Sequence, residues 1–478
     1  MFSMTDVKDI YQEQESAEET FRDHLSTVDK DGKRVWVYPK KPKGRFTNYR
    51  SLVSYLLLLF LLGAPFIKID GQPFLLFNIF ERKFIIFGQV FWPQDFFLFV
   101  IGMLTSLVFI ILFTVVFGRI FCGWICPQTI FMEGVFRQIE YWIEGDYMAQ
   151  KKLDKQPWNK EKVTKKTIKH TLFVFVSIII MHTFMAYLVG VNEVWSIIQG
   201  GPAENTGGFI AMVVFTGLFY GVFSKMREQV CTTICPYGRL QGVLLDKQSV
   251  VVAYDHVRGE ERGKFRKDED REALDKGDCI DCKQCVFVCP TGIDIRNGTQ
   301  LECVNCTACI DACDSIMDRI GKPRGLVRYA SEENIAEKKP FEFTTRMKAY
   351  TGVLIVLVGV LITLLLVRSD FETTILRTPG ILYQERDDGM ITNLYQVKMV
   401  NKTNNAMDVR FELLEPKGQI EMVGGEIDLA EQGIGEGAFF VIIDPSDISK
   451  MSTMISVGVY SGDELVETVE TKFLGPTN

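Results

Sequence analysis

The chain has 478 residues, 12 cysteines, 53 basic against 60 acidic side chains and a net charge of −7. That length corresponds to roughly three domains, and an acidic chain with no basic stripe excludes nucleic acid as the main partner. The cysteines fall in four tight groups of a long chain, which excludes a small secreted disulfide scaffold.

Residues 1–50 form a charged leader without an apolar run, so it does not read as a cleavable signal peptide. A membrane helix needs about 20 mostly apolar residues. Runs at 51–67, 96–117, 171–191, 207–224 and 349–367 qualify. The second carries no charge from Phe96 to Phe117, and the fourth is short and glycine-rich. Lys and Arg mark cytoplasmic loops. Residues 1–50 and 118–170 each hold ten, residues 68–95 hold three, and 192–206 hold none. The leader, the loop after the second span and the segment after the fourth are therefore expected on the cytoplasmic face. The tail is expected on the outer face, with Trp92, Trp195 and the Phe-rich stretch 74–91 at the outer interface. The basic runs at 40–50 and 151–169 are expected to orient the chain and touch the lipid surface. His182 lies in the third span and is expected to be a neutral imidazole bonded to a neighbouring helix, while His24, His170 and His256 are expected to be solvated.

Two short motifs stand at the cytoplasmic ends of spans two and four. They read Cys122-Gly-Trp-Ile-Cys126-Pro127 and Cys231-Thr-Thr-Ile-Cys235-Pro236, with Phe131 and Leu240 matching five residues beyond the second cysteine. This is a weak internal repeat whose halves are expected to face each other about a pseudo-twofold axis. Helical spacing would put both sulfurs of a pair on one face. Together the pairs would supply up to four soft thiolates, ligands suited to Cu(I), zinc or an iron–sulfur cluster. The competing reading is buried free cysteine, packed as a small hydrophobe.

The most specific signal follows: Cys279-x2-Cys282-x2-Cys285-x3-Cys289-Pro290, then Cys303-x2-Cys306-x2-Cys309-x3-Cys313. This is the two-cluster ferredoxin pattern, in which the fourth cysteine of each run serves the other cluster. On that pattern Cys279, Cys282, Cys285 and Cys313 hold one [4Fe–4S] cluster, and Cys303, Cys306, Cys309 and Cys289 hold the second. Zinc would want four ligands in two pairs, and disulfides are disfavoured on a reducing face. Asp314 follows Cys313 where the pattern often repeats proline.

From about 370 onward the chain reads as β-strands: Leu394 to Val400, Val409 to Leu414, Ala438 to Ile443, Met454 to Tyr460 and Val466 to Phe473. Asn404-Asn405, Pro416-Lys417-Gly418, Gly424-Gly425 and Ser461-Gly462-Asp463 separate them. That spacing predicts an immunoglobulin-like β-sandwich. It has neither cysteine nor histidine, so Met399, Met407 and Met422 are expected to pack. The expected fold is thus an integral membrane α-helical protein of five spans, with a two-[4Fe–4S] ferredoxin-like insert and a C-terminal immunoglobulin-like sandwich. Its divisions are a leader (1–50), a four-span membrane domain (51–240), a ferredoxin-like domain (241–348), a fifth span (349–367) and the β domain (370–478).

The order of these parts, with Trp36-Val37-Tyr38-Pro39 in the leader, resembles the FixG/CcoG family of cytochrome c oxidase accessory proteins over nearly the whole chain. The resemblance implies a bacterial inner-membrane cupric reductase that converts Cu(II) to Cu(I) for a cbb3-type cytochrome c oxidase. Cys122, Cys126, Cys231 and Cys235 would then be the catalytic, copper-binding cysteines. Partners would be the lipid bilayer, the oxidase or its copper-handling assembly factors, and an electron donor; a homo-oligomer is compatible with it. The membrane ferredoxin architecture also resembles NapH and NosR, which implies a quinol-linked electron relay as the alternative. A third alternative is a non-enzymatic copper-binding assembly scaffold.

Overall fold

The computed structural model describes residues 27–476 apart from 29, 30, 32, 70, 93, 94, 267, 268, 272, 339–341, 370, 381, 404, 426 and 449. The expectations for residues 1–26, His24 and the turn residue Asn404 lie outside the described residues. The chain divides into two compact units, one of residues 1–67 and 99–359, the other of residues 68–98 and 360–478.

Among the described residues, five helices are long and apolar enough to cross a membrane: Arg45–Phe66, Phe96–Phe117, Lys160–Val189, Thr206–Met226 and Thr345–Leu366. Each overlaps one of the five expected spans. The third begins eleven residues early because Asn159 caps it, accepting from Lys162 N at 2.8 Å, which extends the helix through a charged segment that hydropathy alone leaves out. The stretch expected as the loop 192–206 is mostly a helix, Val191–Glu204, broken at Gly201.

The ferredoxin-like segment is tied to the first span by one carboxylate. Asp311, on the helix Ala308–Arg319, accepts from Thr47 N and Oγ1 at 2.7 and 2.6 Å and from Phe46 N at 3.1 Å. Those donors belong to the first turn of Arg45–Gly63, whose free N–H groups favour an anion. Strands Val251–Tyr254 and Val327–Ala330 pair antiparallel and close this segment.

The second unit holds the sandwich. One sheet orders Gly418–Val423, Ile434–Ile443, Ile391–Asn401 and Phe371–Arg377, with Gln384–Glu385 also on Ile391–Asn401; the other orders Ile427–Leu429, Met407–Glu415, Ser452–Ser461 and Glu464–Leu474. All five expected strands lie within these. The core between the sheets includes Tyr395, Phe439, Val457 and Phe473, each fully buried. Met399 is buried there, with Met407 and Met422 packed against it. The Phe-rich stretch 74–91 forms three antiparallel strands that the sequence reading did not anticipate. In the same unit, buried Asp95 joins Arg368 and Lys402, each at 2.8 Å.

Candidate functional site

The two runs of the ferredoxin motif fold alike. Asp281 and Lys283, on either side of Cys282, have φ of 52° and 56°; Asn305 and Thr307, on either side of Cys306, have 52° and 64°. Left-handed backbone at side-chain-bearing residues costs about 1–2 kcal/mol each. It turns successive cysteines inward, so that a local loop surrounds one object. Cys279, Cys282, Cys285 and Cys313 line one pocket together with Arg296. Cys289, Cys303, Cys306 and Cys309 line a second. The geometry thus assembles the crossed foursomes.

Burial pushes the thiols of Cys285 and Cys303 up to about 12, and that of Cys306 to about 11. Thiolates so far from water require cations. Iron would supply most of that charge, and the donor set fits [4Fe–4S] clusters. Arginines supply more. Arg296 lines the first pocket and is held by Asp294 and Asp281. Arg50 reaches the Cys306 carbonyl at 3.3 Å.

The two Cys-x3-Cys-Pro motifs are matched in backbone at a constant offset. Each follows a membrane helix that stops at a positive φ: 56° at Gly118 and 55° at Arg227. In each, the second cysteine receives extended dihedrals, Cys126 at −57°/125° and Cys235 at −65°/115°, and a new helix starts at the proline. Cys126 N donates to Phe121 O at 2.9 Å, and Cys235 N to Val230 O at 2.8 Å, wide turns of the kind that occur at functional sites. The expectation that each pair sits on one helical face is therefore corrected. The helix breaks at the second cysteine, because proline cannot donate the next backbone hydrogen bond and disfavours helical dihedrals in the residue before it. The match fades beyond the proline: Phe131 is buried and Leu240 exposed.

The pairs do meet. Cys231 lies within electrostatic reach of Cys126, Cys122 and Cys235, and burial pushes its thiol up to about 12. Cys122 and Cys231 pack with Cys306 and Cys309 in one buried group that also holds Val288 and Val304. Gly123 makes this contact: a β-carbon there would stand 2.5 Å from Val304 O and 2.8 Å from Asn305 O. Buried Arg119 donates to Gln241 Oε1 and to Leu301 O, and Cys122 Sγ lies 3.5 Å from the same Gln241 oxygen.

A buried ionic network, missed in the sequence, ties the two repeat halves together. Arg137 binds Glu133 at 2.9 Å and approaches Glu228 at 3.8 Å; Arg227 pairs with Glu140; Lys169 stands 2.9 Å from Glu144 and 3.6 Å from Glu140. Burial alone would raise the Glu140 carboxyl, but Arg227, Lys169 and Arg137 outweigh it and hold it below its ordinary value. The expected lipid-surface role of the 151–169 run is corrected for Lys162 and Lys169. Both are buried, Lys162 on the carbonyls of Asp154 and Gln156, because acidic and carbonyl oxygens from the preceding helices cover them. The Trp36 ring lies between the guanidinium groups of Arg34 (4.3 Å) and Arg227 (4.8 Å), which places the leader against the break before Cys231. His182 Nδ1 bonds Ile178 O of its own helix at 2.7 Å, not a neighbouring helix, since the carbonyl one turn back lies within reach. His170 is half-buried on Tyr220 Oη at 2.9 Å, not solvated, while His256 is exposed.

The fold and these sulfur sites define an integral membrane iron–sulfur electron-transfer protein of the oxidoreductase class. Residues 226–332 match a 4Fe-4S dicluster domain, residues 99–153 a 4Fe-4S binding domain, and residues 361–476 the IG-like fold at the C-terminal of FixG. Nitrogen fixation protein FixG of Rhizobium meliloti is 31% identical over 464 residues, covering 89% of this chain and 87% of its own. Protein RdxB of Cereibacter sphaeroides is 35% identical over 443 residues, covering 89% and 90%. The crystal structure of a FixG-related protein from Vibrio parahaemolyticus aligns with 22% of this chain and 97% of its own, at 20% identity and a TM-score of 0.19. The chain belongs to the FixG family.

Proposed function

We propose that this protein is a cupric reductase that converts Cu(II) to Cu(I) for assembly of a cbb3-type cytochrome c oxidase. The observation that carries the reading is the packing of Cys122 and Cys231 against Cys306 and Cys309, which joins the sulfur ligands into one series from the ferredoxin loop to the membrane helices. Iron–sulfur clusters on such ligands supply single electrons, and Cu(II) needs one. The chain's own groups do the rest. The buried cysteines exclude water, Arg50, Arg119 and Arg296 offset negative charge, and Gly123 admits the close approach. Copper is the substrate and meets the electron at the Cys122, Cys126, Cys231 and Cys235 end, where sulfur suits the soft product.

The Lys/Arg asymmetry supports a cytoplasmic leader and cytoplasmic sulfur sites, with the β domain in the periplasm as a docking module for the oxidase or its copper-handling factors. Reporter fusions after residues 140 and 300 should then be cytoplasmic and one after 400 periplasmic. An outward-facing fusion at 300 overturns that orientation.

The chemistry is tested by reducing the anaerobic full chain, removing excess reductant, adding Cu(II) and trapping Cu(I) with a chelator that is inert in a protein-free control. Trapped Cu(I) should appear in step with cluster reoxidation, and Cys235→Ser should slow it. Copper binding without turnover would make the protein a scaffold. Quinol-dependent reduction with no copper effect would make it a relay.

A further inference from the structure

We infer that Cys122, Cys126, Cys231 and Cys235 together hold a third [4Fe–4S] cluster, one cysteine pair coming from each half of the membrane repeat. This deepens the proposed reductase and takes from it only the cluster's purpose: copper then meets an iron–sulfur terminus in place of bare thiolates.

Four observations converge on the site. First, the four sulfurs gather. Cys231 lies within electrostatic reach of Cys122, Cys126 and Cys235, and Cys122 and Cys231 pack in one group. Two cysteine pairs brought together from separate helix ends match the four-cysteine ligation of a cubane.

Second, both motifs build the same half-site. The helix stop at positive φ, the wide turn to the second cysteine and the restart at proline recur at Gly118–Pro127 and Arg227–Pro236. Two equal half-sites suit a centre with four equivalent corners.

Third, the surroundings suit a negative centre. Cys122 is buried and Cys126, Cys231 and Cys235 are half-buried, so thiolates there need positive charge close by. Cluster iron would supply most of it, and the buried Arg119 guanidinium adds more. Its Nη2 approaches Gly238, the residue whose added β-carbon would also meet Cys231 O at 2.7 Å.

Fourth, a hydroxyl stands ready. Tyr237, whose Oη meets Thr114 Oγ1 at 2.9 Å, packs with Cys122 and Cys231, and the fully buried Gln241 holds Arg119 beside them. Hydrogen bonds to cluster sulfur are a usual means of setting a potential. On loading, each of the four thiols gives up its proton and forms one sulfur–iron bond.

The test is metal and acid-labile sulfide analysis of the anaerobically purified full chain, reconstituted with ferrous iron and sulfide. Three four-iron centres give about twelve iron and twelve sulfide per chain. Cys126→Ser with Cys235→Ser should reduce both to about eight and leave the two ferredoxin EPR signals, which also report that the variant has folded. About eight iron in the unaltered chain, or about twelve retained in the double variant, overturns the inference. If the variant does not accumulate, the count on the unaltered chain decides alone. Failure of the function reads differently: about twelve iron without Cu(I) formation removes the reductase and keeps the cluster, while Cu(I) formation with about eight iron does the reverse.

Discussion

The ferredoxin loop and the membrane motifs are both duplicated sulfur sites, yet they are assembled by different means. In the loop, cysteines three residues apart are turned inward by local left-handed backbone at Asp281, Lys283, Asn305 and Thr307. At the membrane, Cys122 and Cys231 lie far apart in the chain and meet only because two helix ends pack together, braced by Arg137, Glu140, Arg227 and Glu228. A site built by local turns depends on its own few residues. A site built by packing depends on groups that never touch sulfur.

That contrast can be broken most sharply with Cys313→Ser. The loss should fall on the cluster of Cys279, Cys282 and Cys285, removing about four iron and one EPR signal, while the cluster of Cys303 remains. Loss of the Cys303 signal instead would abolish the crossed arrangement.

Next in size is Glu140→Gln. It leaves Arg227 and Lys169 buried with less opposing charge, and removing one partner of a buried pair costs about 3–5 kcal/mol. Thermal unfolding in detergent should drop accordingly and take the membrane site with it before the ferredoxin signals. The pH dependence has a definite sign. The Glu140 carboxyl is held below its ordinary value of 4.5, so its contribution is complete above that pH and is lost as pH falls through the depressed value. A melting series from pH 6 to about 3 should slope less in the variant. An unchanged slope would remove Glu140 from the network.

Gly123→Ala should cost about 1–3 kcal/mol, because the added carbon collides with the backbone of Val304 and Asn305. Thr232 holds the equivalent place in the other half and already carries a side chain, so Thr232→Ala should be nearly silent. Equal effects at both positions would contradict the asymmetric contact with the loop. The smallest change is expected from Lys283→Gly. Relief of left-handed strain is offset by a more flexible unfolded chain, leaving a net change within about 1 kcal/mol and both clusters loaded.

Much of this was legible in the sequence because its signals are local. Hydropathy located five helices, cysteine spacing located the ferredoxin loop, and alternation located five strands of the sandwich. The repeat of Cys-x3-Cys-Pro suggested two halves facing each other. Its helical spacing misled, since Pro127 and Pro236 override periodicity at the residue before them. The ionic network was illegible for a different reason. Lys169 reads as a surface charge until Glu140 and Glu144 are seen to cover it, and those partners lie on another helix. The strands at 74–91 were hidden because their phenylalanines match a membrane interface as well as a sheet.

The helix that carries Cys309 and Cys313 also carries Asp311, which caps the first membrane helix from 265 positions further along the chain. That contact has a consequence for biogenesis. At ordinary synthesis speeds of about 5–20 residues per second, the first span waits more than ten seconds for its capping carboxylate. The cap arrives on the helix that carries Cys309 and Cys313, so the first turn of the membrane anchor and the ferredoxin insert are completed in one folding step.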